Sequence, residues 1–183
     1  MRMRSDAKLV ELARRGSRDA AAELFTRHWR AAWRAAYVVT GRRELADDVA
    51  QDAFERAFAA LSRFDERRPF GPWLMRIVAN AATDRRRRRT VRRAEPLDPN
   101  ATAGGPRPDV QTEQRALAQR LREALAELPE RRRVAVVLFD VEGYSHAEIA
   151  EILGVAEGTV RSEVFHARRR LRVLLADWKE EDA

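Results

Sequence analysis

Apolar residues recur at spacings of three and four along almost the whole chain, the period of helices buried on one face. In the first half this predicts four helices. The first runs from Asp6 to Arg15 and is stopped by Gly16. The second opens at Asp19 and reaches Val39 before Gly41, with Ala22, Phe25, Trp29, Trp33, Ala36 and Tyr37 as its apolar face. The third covers Glu44 to about Leu61. Its stripe is Ala46, Val49, Ala50, Ala53, Phe54, Ala57, Phe58 and Leu61, and the opposite face carries Asp47, Asp48, Gln51, Asp52 and Glu55. Pro69, Gly71 and Pro72 read as a loop. A fourth helix starts near Trp73, buries Leu74, Ile77, Val78 and Ala81, and runs on into a block of arginines.

The second half repeats the helical pattern with different punctuation. A helix from Glu113 to Leu128 places Leu117, Leu121, Leu125 and Leu128 inward, and Pro129 breaks it. The next carries Val134, Val137, Leu138 and Val141 up to Gly143. Ser145 then stands three residues before Glu148, the spacing of a capping box, ahead of Ile149, Ile152 and Leu153. Gly154 stops that helix. A last one from Glu157 to about Trp178 has Val160, Val164, Ala167, Leu171 and Leu174 on its inner face. Between the halves the periodicity vanishes: residues 94–112 hold four Pro and two Gly, the composition of a flexible linker. The expected fold is therefore all-α, with two small helical domains at 1–93 and 113–178, a linker at 94–112 and a short tail at 179–183. A helix, a short turn with Gly, and a second helix is the helix-turn-helix arrangement, whose second member enters the DNA major groove.

Composition narrows the chemistry. An apolar share of 45% excludes wholesale disorder, and 8 Gly with 7 Pro are too few for a fold of many short strands. Cysteine is absent, which removes disulfides, thiolate zinc sites and thiol catalysis. His28, His146 and His166 lie far apart without a metal-ligand spacing, so neither a metal nor a cofactor is expected. The start, MRMRSDAKLV, has no apolar core of a signal peptide, and the longest apolar run, Val134 to Phe139, is far too short to span a bilayer. These features predict a soluble, cytoplasmic protein with no membrane span.

Charge supplies the partner. The net charge is +7 and is unevenly shared: residues 1–95 carry 23 basic and 13 acidic side chains, whereas residues 96–183 carry 13 and 16. Seven arginines fall within Arg85 to Arg93, a density that repels itself and favours a polyanion. On the fourth helix Arg76, Asn80, Thr83 and Arg87 stand at i, i+4, i+7 and i+11, hence on one face. All three residue types can hydrogen-bond bases and phosphates, and Trp73 is either a stacking platform or core. On the last helix Glu157, Thr159, Arg161, Ser162, Phe165 and His166 are the outward residues near its start, followed by Arg168, Arg169 and Arg170.

At this point the residues resemble a known family. LVELARRGSRDAAAELFTRHW, ELADDVAQDAFERAFAALSRFD and PFGPWLMRIVANAATDRRRRR, followed by ALAELPERRRVAVVLFDVEGYSHAEIAEILGVAEGTVRSEVFHARRRLR, are similar to extracytoplasmic-function (group 4) sigma-70 factors, the promoter-specificity subunits of bacterial RNA polymerase. The resemblance implies that 1–93 is a region 2 domain and 113–178 a region 4 domain. It implies core RNA polymerase binding through Asp47, Asp48, Gln51, Asp52 and Glu55. It places promoter −10 DNA on Trp73, Arg76, Asn80, Thr83, Arg86 and Arg87. The −35 DNA would meet the helix-turn-helix of 145–166 and its flank, through Glu157, Thr159, Arg161, Ser162, Glu163, His166 and Arg169. An anti-sigma factor is a further implied partner. The −35 surface departs from the family where Glu163 replaces a usual basic residue, with Phe165 and His166 also atypical. Glu163 is then a cytosine reader, a deliberate weakener, or the partner of Arg170 or of an arginine on a neighbouring helix. The competing readings are a non-sigma helix-turn-helix regulator and a DNA recombinase. Residues 1–93 show neither an α/β receiver pattern nor a glycine-rich phosphate loop, and Tyr37 and Tyr144 sit at apolar or helix-entry positions, so no catalytic site is expected.

Overall fold

A computed structural model describes the backbone of residues 4–93 and 113–181, and the side chains of residues 4–88 and 116–176. The expected linker at 94–112 and most of the tail lie outside the described residues. Among the described residues eight α-helices follow in order: α1 (Asp6–Arg14), α2 (Arg18–Thr40), α3 (Arg43–Ala59), α4 (Phe70–Arg93), α5 (Glu113–Ala126), α6 (Glu130–Asp140), α7 (His146–Leu153) and α8 (Glu157–Glu181). No strand occurs among the described residues.

Local chemistry explains most of the boundaries. Ser5 and Ser17 cap α1 and α2, each side chain accepting from a backbone N–H three residues on. Gly41 ends α2 with φ of 67°, a left-handed turn that a Cβ would strain. A short 3-10 turn, Leu61–Arg63, follows α3. The start of α4 corrects the expected loop: the helix begins at Phe70 and takes Gly71 and Pro72 into its first turn. Proline fits there because the first N–H groups of a helix have no intrahelical acceptor to lose.

Helices α2, α3 and α4 pack as a bundle whose seam is largely alanine. Ala32, Ala35, Ala36, Ala46, Ala50, Ala53, Ala57 and Ala82 are all buried, and small contact residues bring helix axes close. This moves the inner face of α2 away from the expected stripe, to Ala20, Leu24, Ala32, Ala35, Ala36 and Val39. Ala22 is exposed and Phe25 is 37% exposed. The aromatic residues instead flank the seam: Phe25 stacks on Trp29 with centroids 4.9 Å apart and meets Phe54 at 4.7 Å. On α3 the expected stripe is buried from Ala46 to Ala57.

The second half corrects two further expectations. Leu117 and Leu121 on α5 are 43% and 41% exposed, and only its C-terminal end, with Ala124 and then Leu128, is buried. Val141 lies beyond the end of α6 and is 57% exposed. The apolar packing also runs on from one half into the other. Leu74, Val78 and Val39 from the first half form one buried cluster with Val134, Leu138, Ile149, Ile152 and Val160 from the second. A smaller cluster of Leu128, Val136, Val137 and Ala167 lies behind it.

Candidate nucleic-acid interface

The helix-turn-helix is built from its caps outward. The Ser145 hydroxyl accepts from the Glu148 N–H at 3.2 Å, and the Glu148 carboxylate accepts from the Ser145 N–H at 2.8 Å. Both donors would otherwise be orphans of the helix end. Gly154, with φ of 66°, turns the chain out of α7, and after Val155 and Ala156 α8 begins. Val160, Val164 and Ala167 anchor α8 in the interior. Its other side is open: Glu157, Arg161, Ser162, Phe165, His166 and Arg169 are exposed, with Thr159 half-buried.

Several charges on α8 are already engaged. Arg161 Nη2 stands 2.6 Å from Glu157 Oε1, one turn away. Glu163 is half-buried and accepts from Arg132 Nε of α6 at 2.8 Å. Of the three roles open to it, the geometry therefore supplies the intramolecular pair with a neighbouring helix. Arg170 meets Glu127 instead, at 2.9 Å. Arg168 pairs with Asp140 and lies 5.0 Å from the centre of the Phe139 ring, which stacks on His146 at 4.3 Å. Through Arg168 that stack joins α6, α7 and α8.

On α4 the polar row is intact, with Arg76, Asn80, Thr83 and Arg87 all exposed. Trp73 is half-buried, its ring 4.7 Å from Phe64 and 5.7 Å from Phe70. Thr83 Oγ1 donates to Glu130 of α6 at 3.4 Å, and Arg86 pairs with the same carboxylate. On α3 the acidic face also has partners. Asp47 accepts from the Trp33 indole at 2.6 Å, Asp48 meets Arg85 at 3.1 Å, Gln51 donates to Glu55 at 3.2 Å, and Asp52 meets Arg56 at 2.7 Å. Asp47, Asp48, Gln51 and Glu55 remain exposed, and Asp52 is half-buried.

Arg34, Glu130, Arg132, Glu142 and Tyr144 decide how the halves meet or what Glu163 does, and helical periodicity does not single them out. Their partners are distant in sequence, and no local signal marks them.

With this geometry in place, the similarities to known proteins become informative. Residues 24–92 match the family model of sigma-70 region 2, and residues 118–171 that of sigma-70 region 4. The chain is 41% identical to the ECF RNA polymerase sigma factor SigM of Mycobacterium tuberculosis, an alignment covering 94% of this chain and 85% of the relative. The chain belongs to the sigma-70 family. Its relatives place it in the extracytoplasmic-function group, whose members are sigma factors and not catalytic enzymes. RNA polymerase sigma factor CnrH of Cupriavidus metallidurans is 35% identical over 93% of this chain and 94% of its own. Among solved structures, CnrH in complex with the cytosolic domain of CnrY matches with a TM-score of 0.73 and 30% identity, covering 94% of this sigma factor and 97% of that chain. The sigma factor RpoE in complex with the anti-sigma factor NepR, from Bartonella quintana, matches at 0.68 and 27% identity, covering 85% and 96%. Among the described residues, no helix is long and apolar enough to cross a membrane, and no group of three His, Cys, Asp or Glu is placed to hold a metal ion.

Proposed function

We propose that this sigma factor works in the cytoplasm with residues 1–93 and 113–178 as its two promoter-reading units. It binds core RNA polymerase and directs initiation at promoters with −10 and −35 elements. The observation that carries the reading is the open face of α8, presented by a capped helix-turn-helix in a chain whose first half matches region 2. That match also disfavours a helix-turn-helix regulator with an unrelated front domain.

The roles divide by element. The acidic face of α3 (Asp47, Asp48, Gln51, Asp52 and Glu55) is the polymerase contact, complementary to a basic partner surface. On α4, Arg76, Asn80 and Thr83 are the groups for −10 bases, while Arg86 and Arg87 neutralise phosphate. Trp73 lends the edge of its half-buried ring as an aromatic floor. On α8, Arg161 and Ser162 lie early enough to reach base edges, with Glu157, Thr159 and His166 beside them and Arg169 toward the backbone. Glu163 acts through Arg132 and thereby lowers the positive charge of this surface. An anti-sigma factor is a further partner, in keeping with the solved RpoE captured with the anti-sigma factor NepR.

The test is transcription in vitro with core polymerase on genomic templates. Discrete start sites that depend on the added chain are expected. Stable DNA binding without core-dependent initiation would favour the regulator.

A further inference from the structure

The open face of α8 has a centre as well as a rim. Gly158, Ser162, Phe165 and Arg169 stand at i, i+4, i+7 and i+11, one row on the side of the helix opposite buried Val160, Val164 and Ala167. All four are exposed. At 63%, Phe165 is the most exposed large apolar side chain among the described residues. Its ring meets that of His166 edge-on, with centroids 5.4 Å apart. Arg161, Ser162, His166 and Arg169 share this face with it, so a single apolar ring stands in a polar and basic setting. An apolar protein surface docked here would strip those groups of water without pairing them, whereas DNA meets them with phosphates and base edges.

Gly158 points the same way. It lies in the first turn of α8, outside the left-handed region, and a Cβ built on it would meet no atom within 4 Å. Neither backbone conformation nor packing asks for glycine there, and glycine within a helix costs stability relative to alanine. What it does supply is a close approach of the helix backbone to whatever lies against this face. Ser162, next in the row, is also small. The row therefore widens from the end that enters the groove first: two small residues, then an aromatic ring, then a guanidinium.

Phe165 has no polar side-chain atom, so it can read neither a donor nor an acceptor. Among the groups that base pairs present in the major groove, the thymine C5-methyl is the apolar one. We infer that Phe165 is a specificity-determining residue that packs against the methyl of one thymine in the −35 element, and that Gly158 and Ser162 let α8 lie deep enough for the ring to reach it. This role rests on the assignment of α8 to the −35 element.

The experiment uses holoenzyme assembled from the full chain and core polymerase. Its probe is a duplex carrying the promoter of the strongest start site found by transcription on genomic templates. Deoxyuridine replaces each −35 thymine of either strand in turn, which removes the methyl and leaves base pairing intact. Gel-shift competition reads the affinity. One replacement should weaken the unaltered chain about fourfold, the worth of one buried methylene-sized group, and the others should leave it unchanged. Phe165→Ala removes an exposed ring, so it should keep its helical circular dichroism, bind less tightly, and treat thymine and deoxyuridine alike at that position. Phe165→Leu should retain part of the discrimination. Gly158→Ala should raise Tm yet weaken binding to every duplex of the series by a similar factor. If no deoxyuridine weakens the unaltered chain, or if Phe165→Ala still discriminates at the sensitive position, Phe165 is not the reader. Unchanged affinity in Gly158→Ala overturns the close approach. Failure of α8 as the −35 reader shows separately, as binding indifferent both to exchange of −35 base pairs and to Arg161→Ala, and it takes the role of Phe165 with it.

Discussion

Glu163 is held by Arg132 across 31 residues of sequence, and both side chains are partly withdrawn from water. Exposed ion pairs contribute little, but removing one partner of a partly buried pair leaves the other charge poorly solvated. Glu163→Arg sets two guanidinium groups against each other there. We expect a loss of about 1–3 kcal/mol, or several degrees in Tm, with the −35 base preference unchanged. A differential scan and a −35 library measure the two parts, and a switched base preference would make Glu163 a reader. Asn80 and Arg87 separate along the same logic on α4. An amide that donates and accepts at once can distinguish bases, whereas an arginine on phosphate cannot. Asn80→Ala should change the ranking of −10 variants in transcription assays, and Arg87→Ala should weaken all of them and flatten the salt dependence. Equal losses across the −10 variants for both changes would remove the distinction.

At the scale of an element, α7 depends on its first turn. It has only eight residues, so the capping box supplies a large share of what orients it. Ser145→Ala should cost about 1 kcal/mol. Because α7 sets the entry of α8 through the Gly154 turn, −35 duplex affinity should fall along with thermal stability. Stability lost with affinity unchanged would mean that α8 is positioned by its buried face alone. Helix α3 separates its functions differently, with an alanine stripe inside and carboxylates outside. Asp48→Arg with Asp52→Arg leaves that stripe untouched and puts positive charge beside Arg85 and Arg56. The double variant should keep its helical circular dichroism yet lose core polymerase in pull-down, since like charges across an interface cost roughly several kcal/mol. Holoenzyme assembly at unaltered affinity would move the polymerase contact elsewhere.

For the whole molecule, affinity depends on bringing two readers to a fixed spacing on DNA. Two modules on one chain reinforce each other only when geometry lets both engage together. In the unbound chain the two halves share one core, so their relative placement is set by that packing and not by the spacing of a promoter. The free protein should therefore bind promoter duplex weakly, with core polymerase raising affinity sharply in gel-shift titrations. Nanomolar sequence-specific duplex binding by the chain alone would contradict this.

What the chain determines by itself is what short-range chemistry decides. The glycine stops at Gly41 and Gly154 and the box at Ser145 and Glu148 rest on contacts within one turn of helix, and the α3 stripe follows the same helical period. They are legible because helix hydrogen bonds and side-chain neighbours repeat at three and four residues. The polar row on α4 and the open face of α8 follow from the same period. Only the tertiary structure decides which apolar face is covered and by what, as exposed Leu117 and Leu121 and the alanine seam of α2 demonstrate. Periodicity identifies a face able to be buried; the neighbour that buries it comes from another part of the chain. The same holds for charge. Arg34 and Glu142 are 108 residues apart, and which arginine meets which carboxylate depends on the helices laid side by side. The joint core of the two halves is decided at that range.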